Sequence, residues 1–128
     1  MENEARMQPF VPVLFVRDVP ASAEFFRDTL GFDIDFLHGT PPFYGSVSRD
    51  DACLHLRYVP KPNFAELAAA DYSLILGSIE VSDIQALFGE FTRRGAPICQ
   101  PPTQKPWGGT DLHIRDPDGN VISFVDYG

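Results

Sequence analysis

The feature that most limits what this chain can fold into is a repeated order of signals. Val16-Arg17-Asp18-Val19 opens an apolar helical pattern that closes at Leu30-Gly31-Phe32, and Val81-Ser82-Asp83-Ile84 opens another that closes at Arg94-Gly95-Ala96. Asp18 precedes Gly31 by 13 residues and Asp83 precedes Gly95 by 12. Each unit reads as an acidic N-cap, three helical turns and a glycine stop, because a carboxylate accepts the unpaired first-turn N–H groups and glycine tolerates a left-handed end. A second echo follows each helix. Asp50-Asp51 introduces the alternating run Cys53 to Tyr58, and Asp116-Pro117-Asp118-Gly119-Asn120 introduces Val121 to Val125. The caps lie 65 residues apart (18 to 83) and His55 lies 68 from Ser123, so one order of elements is used twice with a small insertion.

At 128 residues and 44% hydrophobic content, the chain can bury a core but is short for two independent domains. Each half is marginal alone and needs the other. Periodicity predicts β-α-β-β-β twice, an α+β chain. The first unit has strands at Phe10 to Val16, Ile34 to Leu37, Tyr44 to Ser48 and Cys53 to Tyr58, with a helix over Pro20 to Leu30. Pro41-Pro42 calls for a loop or sheet edge. Asn63 to Ala70 reads as a short capped crossover helix. Tyr72 to Val81, Ser82 to Arg94, Ile98 to Gln100, Asp111 to Arg115 and Val121 to Asp126 complete the second unit, with a hairpin turn at Asp118-Gly119-Asn120. The expected organisation is a flexible polar arm over 1–8 and one domain over 9–128. Within it, module one spans about 9–60, the crossover 61–71 and module two about 72–127.

A net charge of −8 and a pI near 4.6 argue against nucleic acid and anionic membrane surfaces, whose phosphates would be repelled. A cationic small molecule is compatible with that charge; so is plain solubility. No apolar run approaches the roughly 20 residues of a membrane-spanning helix, and Met1-Glu2-Asn3-Glu4 lacks the regions of a signal peptide, so a cytoplasmic protein is expected. Cys53 and Cys99 form no Cys-x-x-Cys pattern; Cys53 alternates on a strand like a small buried hydrophobe.

Several segments together resemble a known family. Val11-Pro12-Val13-Leu14, Arg17-Asp18-Val19, Phe25-Phe26, Leu30-Gly31-Phe32, Pro106-Trp107-Gly108 and Arg115-Asp116-Pro117-Asp118-Gly119-Asn120 resemble the glyoxalase/bleomycin-resistance/extradiol-dioxygenase (vicinal oxygen chelate) superfamily, over about residues 9 to 127. The Val-Pro-Val-Leu and Pro-Trp-Gly segments resemble its bleomycin-resistance branch. The resemblance implies paired βαβββ modules in a curved eight-stranded mixed sheet around a ligand crevice, helices outside, in a homodimer whose N-terminal strand can be exchanged. The loop Leu37 to Ser46 and the segment Val59 to Asp71, which border the crevice, match the resistance branch poorly.

Glyoxalase-type members of that superfamily carry four metal ligands, two per module. Carried over, these fall on Val11, His55, Leu76 and Ser123, of which only His55 is a good metal donor. The resemblance therefore implies a metal-free site with no cofactor; the alternative is a divalent metal. A separate arrangement is visible around His113. Leu112 and Ile114 alternate with Asp111, His113 and Arg115, so the polar three share a face that could look into the crevice toward His55. Two histidines and an aspartate could act as acid and base or be hydrogen-bonded polar lining. His38 is expected in a turn, facing solvent.

In bleomycin-resistance proteins a flat heteroaromatic ring is held between an aromatic of the first module and a Trp of the second. Trp107 matches that Trp, and Phe43 or Tyr44 falls in the loop that supplies the other ring. Asp33, Asp35 and Asp111 are candidates for meeting a cationic tail. Ligand-binding candidates are thus Trp107, Phe43, Tyr44, His55, His113, Asp111 and Ser123. The expected activity is sequestration of a planar, cationic small molecule without turnover. The alternative is a glyoxalase- or dioxygenase-related lyase, isomerase or oxidoreductase using His55 and His113.

Overall fold

The computed structural model describes residues 4–71 and 74–128. In chain order it contains β1 (Val13–Val16), α1 (Val19–Leu30), β2 (Asp33–Gly39), β3 (Pro42–Arg49), β4 (Ala52–Tyr58), α2 (Phe64–Ala70), β5 (Gly77–Glu80), α3 (Ile84–Arg93), β6 (Ile98–Gln104), β7 (Thr110–Arg115) and β8 (Val121–Asp126). The α+β class and the doubled βαβββ order are as expected. Hydrogen bonding divides the eight strands into two mixed four-stranded sheets, ordered β1-β4-β3-β2 and β5-β8-β7-β6. In each, the first strand runs parallel to the fourth and the rest are antiparallel.

The helix signals act as read. Asp18 accepts from Ala21 N at 3.0 Å, and Asp83 accepts from Ala86 N at 3.0 Å. Gly31 and Gly95 both have φ 74°, the left-handed region that glycine enters without a Cβ clash. Asn63 precedes α2, but its side chain makes no capping bond. β1 is shorter than its β-rich run, beginning at Val13 rather than Phe10; residues 4–10 are exposed and carry no strand. β5 is likewise shorter than the predicted Tyr72 to Val81, whose first two residues lie outside the described ones. β6 runs on to Gln104 through Pro101-Pro102. It is an edge strand with a register shift between Gln100 and Thr103, where a missing N–H costs little.

One cluster of buried apolar side chains draws on both modules. Val19, Ala23, Phe26 and Leu30 of α1 and Ile84 and Phe91 of α3 meet the inner positions of the sheets, Leu54, Leu56, Leu112, Ile114, Ile122 and Phe124. Burial of such side chains contributes roughly 1.5–3 kcal/mol each. Two polar groups tie the modules together. Glu90 of α3 holds Arg49 through two 2.8 Å contacts and Arg94 at 3.0 Å; Arg49 also donates to Leu30 O and Arg94 to Asp28 O at the end of α1. At the β7–β8 turn, Asp118 Oδ1 accepts from Arg17 N and Asn120 Nδ2 donates to Phe15 O. Buried Asp116 accepts from Asp118 N, Asn120 N and Asn120 Nδ2, so the turn is a closed polar unit.

Candidate functional site

Each sheet has one face toward the helices and one away from them. On β4, Leu54 and Leu56 enter the core, which turns Cys53, His55 and Arg57 to the opposite, open face. The register places Val13 and Ser46 beside His55. A bulge between Ile34 and Phe36 shifts the alternation of β2, so Asp35 bonds Ser46 and Ser48 while the Phe36 ring lies edge-on to His55 at 6.1 Å. Tyr44 completes the set, its hydroxyl 2.8 Å from His55 Nδ1.

Module two repeats the pattern with different chemistry. Leu112, Ile114, Ile122 and Phe124 enter the core, leaving Asp111, His113 and Ser123 on the open face. All three are buried. Asp111 Oδ2 accepts from Ser123 Oγ at 3.3 Å and lies 3.2 Å from His113 Nε2, while Oδ1 accepts from Gln100 Nε2 at 2.6 Å with Lys105 Nζ at 3.7 Å. Asp111 and His113 therefore meet, as their alternation implied. His55 and His113 do not: among the described residues, the hydrogen bonds and ring contacts of each stay within its own module.

Two exposed aromatics, Trp107 and Phe43, lie at hairpin ends. Trp107, 80% exposed, is at the apex of the β6–β7 loop, whose base is closed by Lys105 N to Gly109 O at 2.9 Å and Gly108 N to Lys105 O at 3.1 Å. Phe43 occupies the corresponding end of the β2–β3 hairpin, 51% exposed, its ring edge-on to His38 at 5.4 Å. Of the two first-module candidates, Phe43 is the exposed one, and Tyr44 is half-buried with its hydroxyl engaged. His38 is exposed as expected but lies within β2, next to its last residue Gly39, rather than in a turn. Cys53 is half-buried, its sulfur 3.4 Å from Ser46 Oγ, rather than enclosed like a hydrophobe.

The donor set does not fit a divalent metal centre. Among the described residues no group of three or more His, Cys, Asp or Glu side chains gathers to hold an ion. In register, the β1 neighbour of His55 is Val13 and the β5 neighbour of Ser123 is Ser78, two residues on from Val11 and Leu76. Either placement supplies neither imidazole nor carboxylate on the first strand of a module.

A groove of about 780 Å³ lies elsewhere, between α3, β5 and the β3–β4 turn. Phe32, Leu54, Phe91 and Phe124 form its apolar wall, Asp50, Asp51, Glu80 and Asp83 its acidic rim, and Phe10 and Pro12 border it. None of the seven candidate residues lines it. Four residues of the open faces carry weak sequence signals. Phe36 is placed by a bulge, Gln100 by a strand that continues through two prolines, and Arg57 by alternation alone; Lys105 is marked only by preceding Pro-Trp-Gly.

Comparison with known proteins agrees with this architecture. An uncharacterised protein of Bacillus subtilis (strain 168), YraH, is 24% identical over 121 residues, covering 87% of this chain and 91% of that one. A bleomycin-binding protein from bleomycin-producing Streptomyces verticillus, solved with copper(II)-bleomycin, superposes with a TM-score of 0.74 at 29% identity, over 96% of this chain and 98% of that one. The bleomycin resistance determinant encoded on transposon Tn5 shares the fold at TM-score 0.76 and 23% identity, over 94% and 98%. No helix among the described residues is long and apolar enough to cross a membrane. The family profile matches residues 7–124, and the chain belongs to the Glyoxalase/Bleomycin resistance protein/Dioxygenase superfamily.

Proposed function

We propose that this protein binds, without metal or turnover, a planar cationic small molecule of the bleomycin type, in a crevice completed by a second copy of the chain. The observation that carries this reading is the pair of exposed aromatics, Phe43 and Trp107, at corresponding hairpin ends of the two modules. The Phe43 ring meets His38 and the Trp107 ring meets Lys105, and a ligand stacked between the two platforms would be held by module one of one protomer and module two of another. The likeness to bleomycin-binding proteins supports the ligand class.

The second copy has a place to engage. β5 stands at the edge of its sheet beside the groove, and the adjoining N-terminal segment leaves Met7 and Phe10 almost fully exposed. Exchange of this segment between protomers would cover both. Asp33 and Asp35 are exposed and suited to a cationic tail, Asp35 while accepting from Ser46 and Ser48, whereas Asp111 is buried and already engaged by Lys105 and Gln100. The two histidines, each tied to its own module, serve as polar lining rather than as an acid–base pair.

Trp107 is the single Trp, so its fluorescence reports the site directly. Titration with bleomycin is expected to quench it saturably at one ligand per chain, with a dimer in sedimentation and no stoichiometric metal by elemental analysis. Absence of quenching, together with bound metal and turnover of a thiol hemiacetal or catechol, would replace this reading with an enzymatic one.

A further inference from the structure

We propose that Lys105 is the positioning residue of Trp107, holding the indole ring in one orientation before any ligand arrives. The inference rests on the reading of Trp107 as a stacking platform and adds what fixes that platform.

Trp107 has little else to hold it. Its side chain is 80% exposed, its loop is closed only at the base, and Gly108 and Gly109, at φ 107° and 84°, offer no side chain against which to pack. The indole N–H has no hydrogen-bond partner among the described residues. The contact it does make is with Lys105, whose Nζ lies 5.9 Å from the ring centroid, within the range of a cation–π interaction.

Lys105 is unlike a surface lysine. Its side chain is only 18% exposed, and its ammonium is held by Gln100 Oε1 at 2.8 Å and faces Asp111 Oδ1 at 3.7 Å. Asp111 is in turn fixed by Gln100, His113 and Ser123. A flexible four-carbon chain thus ends at a point set by three strands, β6, β7 and β8. A cation fixed in that way defines a plane for the ring above it, and an ordered ring loses less entropy when a planar ligand stacks on its free face. The buried polar cluster of module two then acts through Lys105 on the exposed aromatic.

A lysine present only to balance Asp111 would affect stability and leave the Trp107 ring unchanged, which makes ring motion the deciding readout. Time-resolved fluorescence anisotropy of Trp107 in the ligand-free protein should show added fast local rotation in Lys105→Met, absent from wild type and from Lys105→Arg. Gln100→Ala, which removes the shorter of the two contacts on the ammonium and keeps its charge, should also loosen the ring, and serves if Lys105→Met does not fold. Bleomycin affinity should fall about 2- to 30-fold in Lys105→Met, the scale of one cation–π contact, and recover in Lys105→Arg. Anisotropy decays identical to wild type in both loosened variants would overturn the proposal. If wild type fails to bind bleomycin, the ligand reading falls while the anisotropy still decides the role of Lys105.

Discussion

The hydroxyl of Tyr44 lies 2.8 Å from Nδ1 of His55, joining β3 to β4 on the open face of the first sheet. Asp111 and Ser123 join β7 to β8 on the open face of the second at 3.3 Å. The pairs are counterparts: in the strand registers Tyr44 is two residues from the Ser46 that pairs with His55, and Asp111 two from the His113 that pairs with Ser123. The duplication has thus kept a diagonal polar link and exchanged its chemistry.

Tyr44 engages Nδ1 of His55, so the hydroxyl has a structural partner whose loss can be read as stability. Tyr44→Phe is expected to lower stability by about 1 kcal/mol, the usual contribution of one such bond, measured by urea unfolding. His55→Ala is expected to leave metal content unchanged. A stoichiometric ion in wild type that disappears in His55→Ala would refute the metal-free reading.

Trp107→Ala should leave the unfolding midpoint nearly unchanged, because the side chain is largely outside the core. Calorimetric titration with bleomycin should show a loss of about 1–3 kcal/mol in binding, the scale of one aromatic stacking platform. Loss of folding would instead assign Trp107 a packing role.

Gly31 and Gly95 end the two helices with the same φ of 74°, yet their surroundings differ. A Cβ on Gly95 would meet nothing within 4 Å, whereas one on Gly31 would lie 3.0 Å from Arg49 Nη1 and 3.1 Å from both Arg94 Nη2 and Glu90 Oε2. Gly95→Ala should cost about 1–2 kcal/mol, the strain of a left-handed alanine. Gly31→Ala should cost more, since it also displaces the ion cluster joining the modules. Equal unfolding free energies for the two variants would refute that difference.

Burial raises the Asp116 carboxyl to about 6, against the opposing pull of its bonds from Asn120. The folded protein therefore holds that proton more tightly than the unfolded chain does. Its stabilising contribution is present below the ordinary carboxyl value of 3.8 and is lost as pH rises through about 6. Glu90 works in the opposite sense, since the guanidinium of Arg49 lowers its carboxyl and its contribution is lost on acidification. The stability of wild type minus that of Asp116→Asn should accordingly decline between about pH 4 and pH 6.5 and level off above it. A difference that rises with pH would show that the carboxyl is not raised.

Much of this architecture was legible because its causes are local. Carboxylate caps, glycine stops and period-two alternation act within a few residues, so Asp18, Asp83, Gly31, Gly95 and the Asp111/His113 face followed from the chain itself. The misses arose where a strand's extent depends on its neighbours. Phe10 to Pro12 have the composition of a strand but lie outside β1, and Pro101-Pro102 were tolerated because β6 is an edge.

The amino-acid sequence by itself determined that the chain is a doubled βαβββ unit with capped helices and a member of its superfamily, since these depend on residue type and spacing. Only the tertiary structure decided which polar groups are engaged. Asp111 is held by Gln100, Lys105, His113 and Ser123, and Trp107 is exposed beside a lysine fixed from below. Those contacts join three strands in a register set by a bulge and by cross-strand pairing, and pairing between distant segments is not written in any one of them.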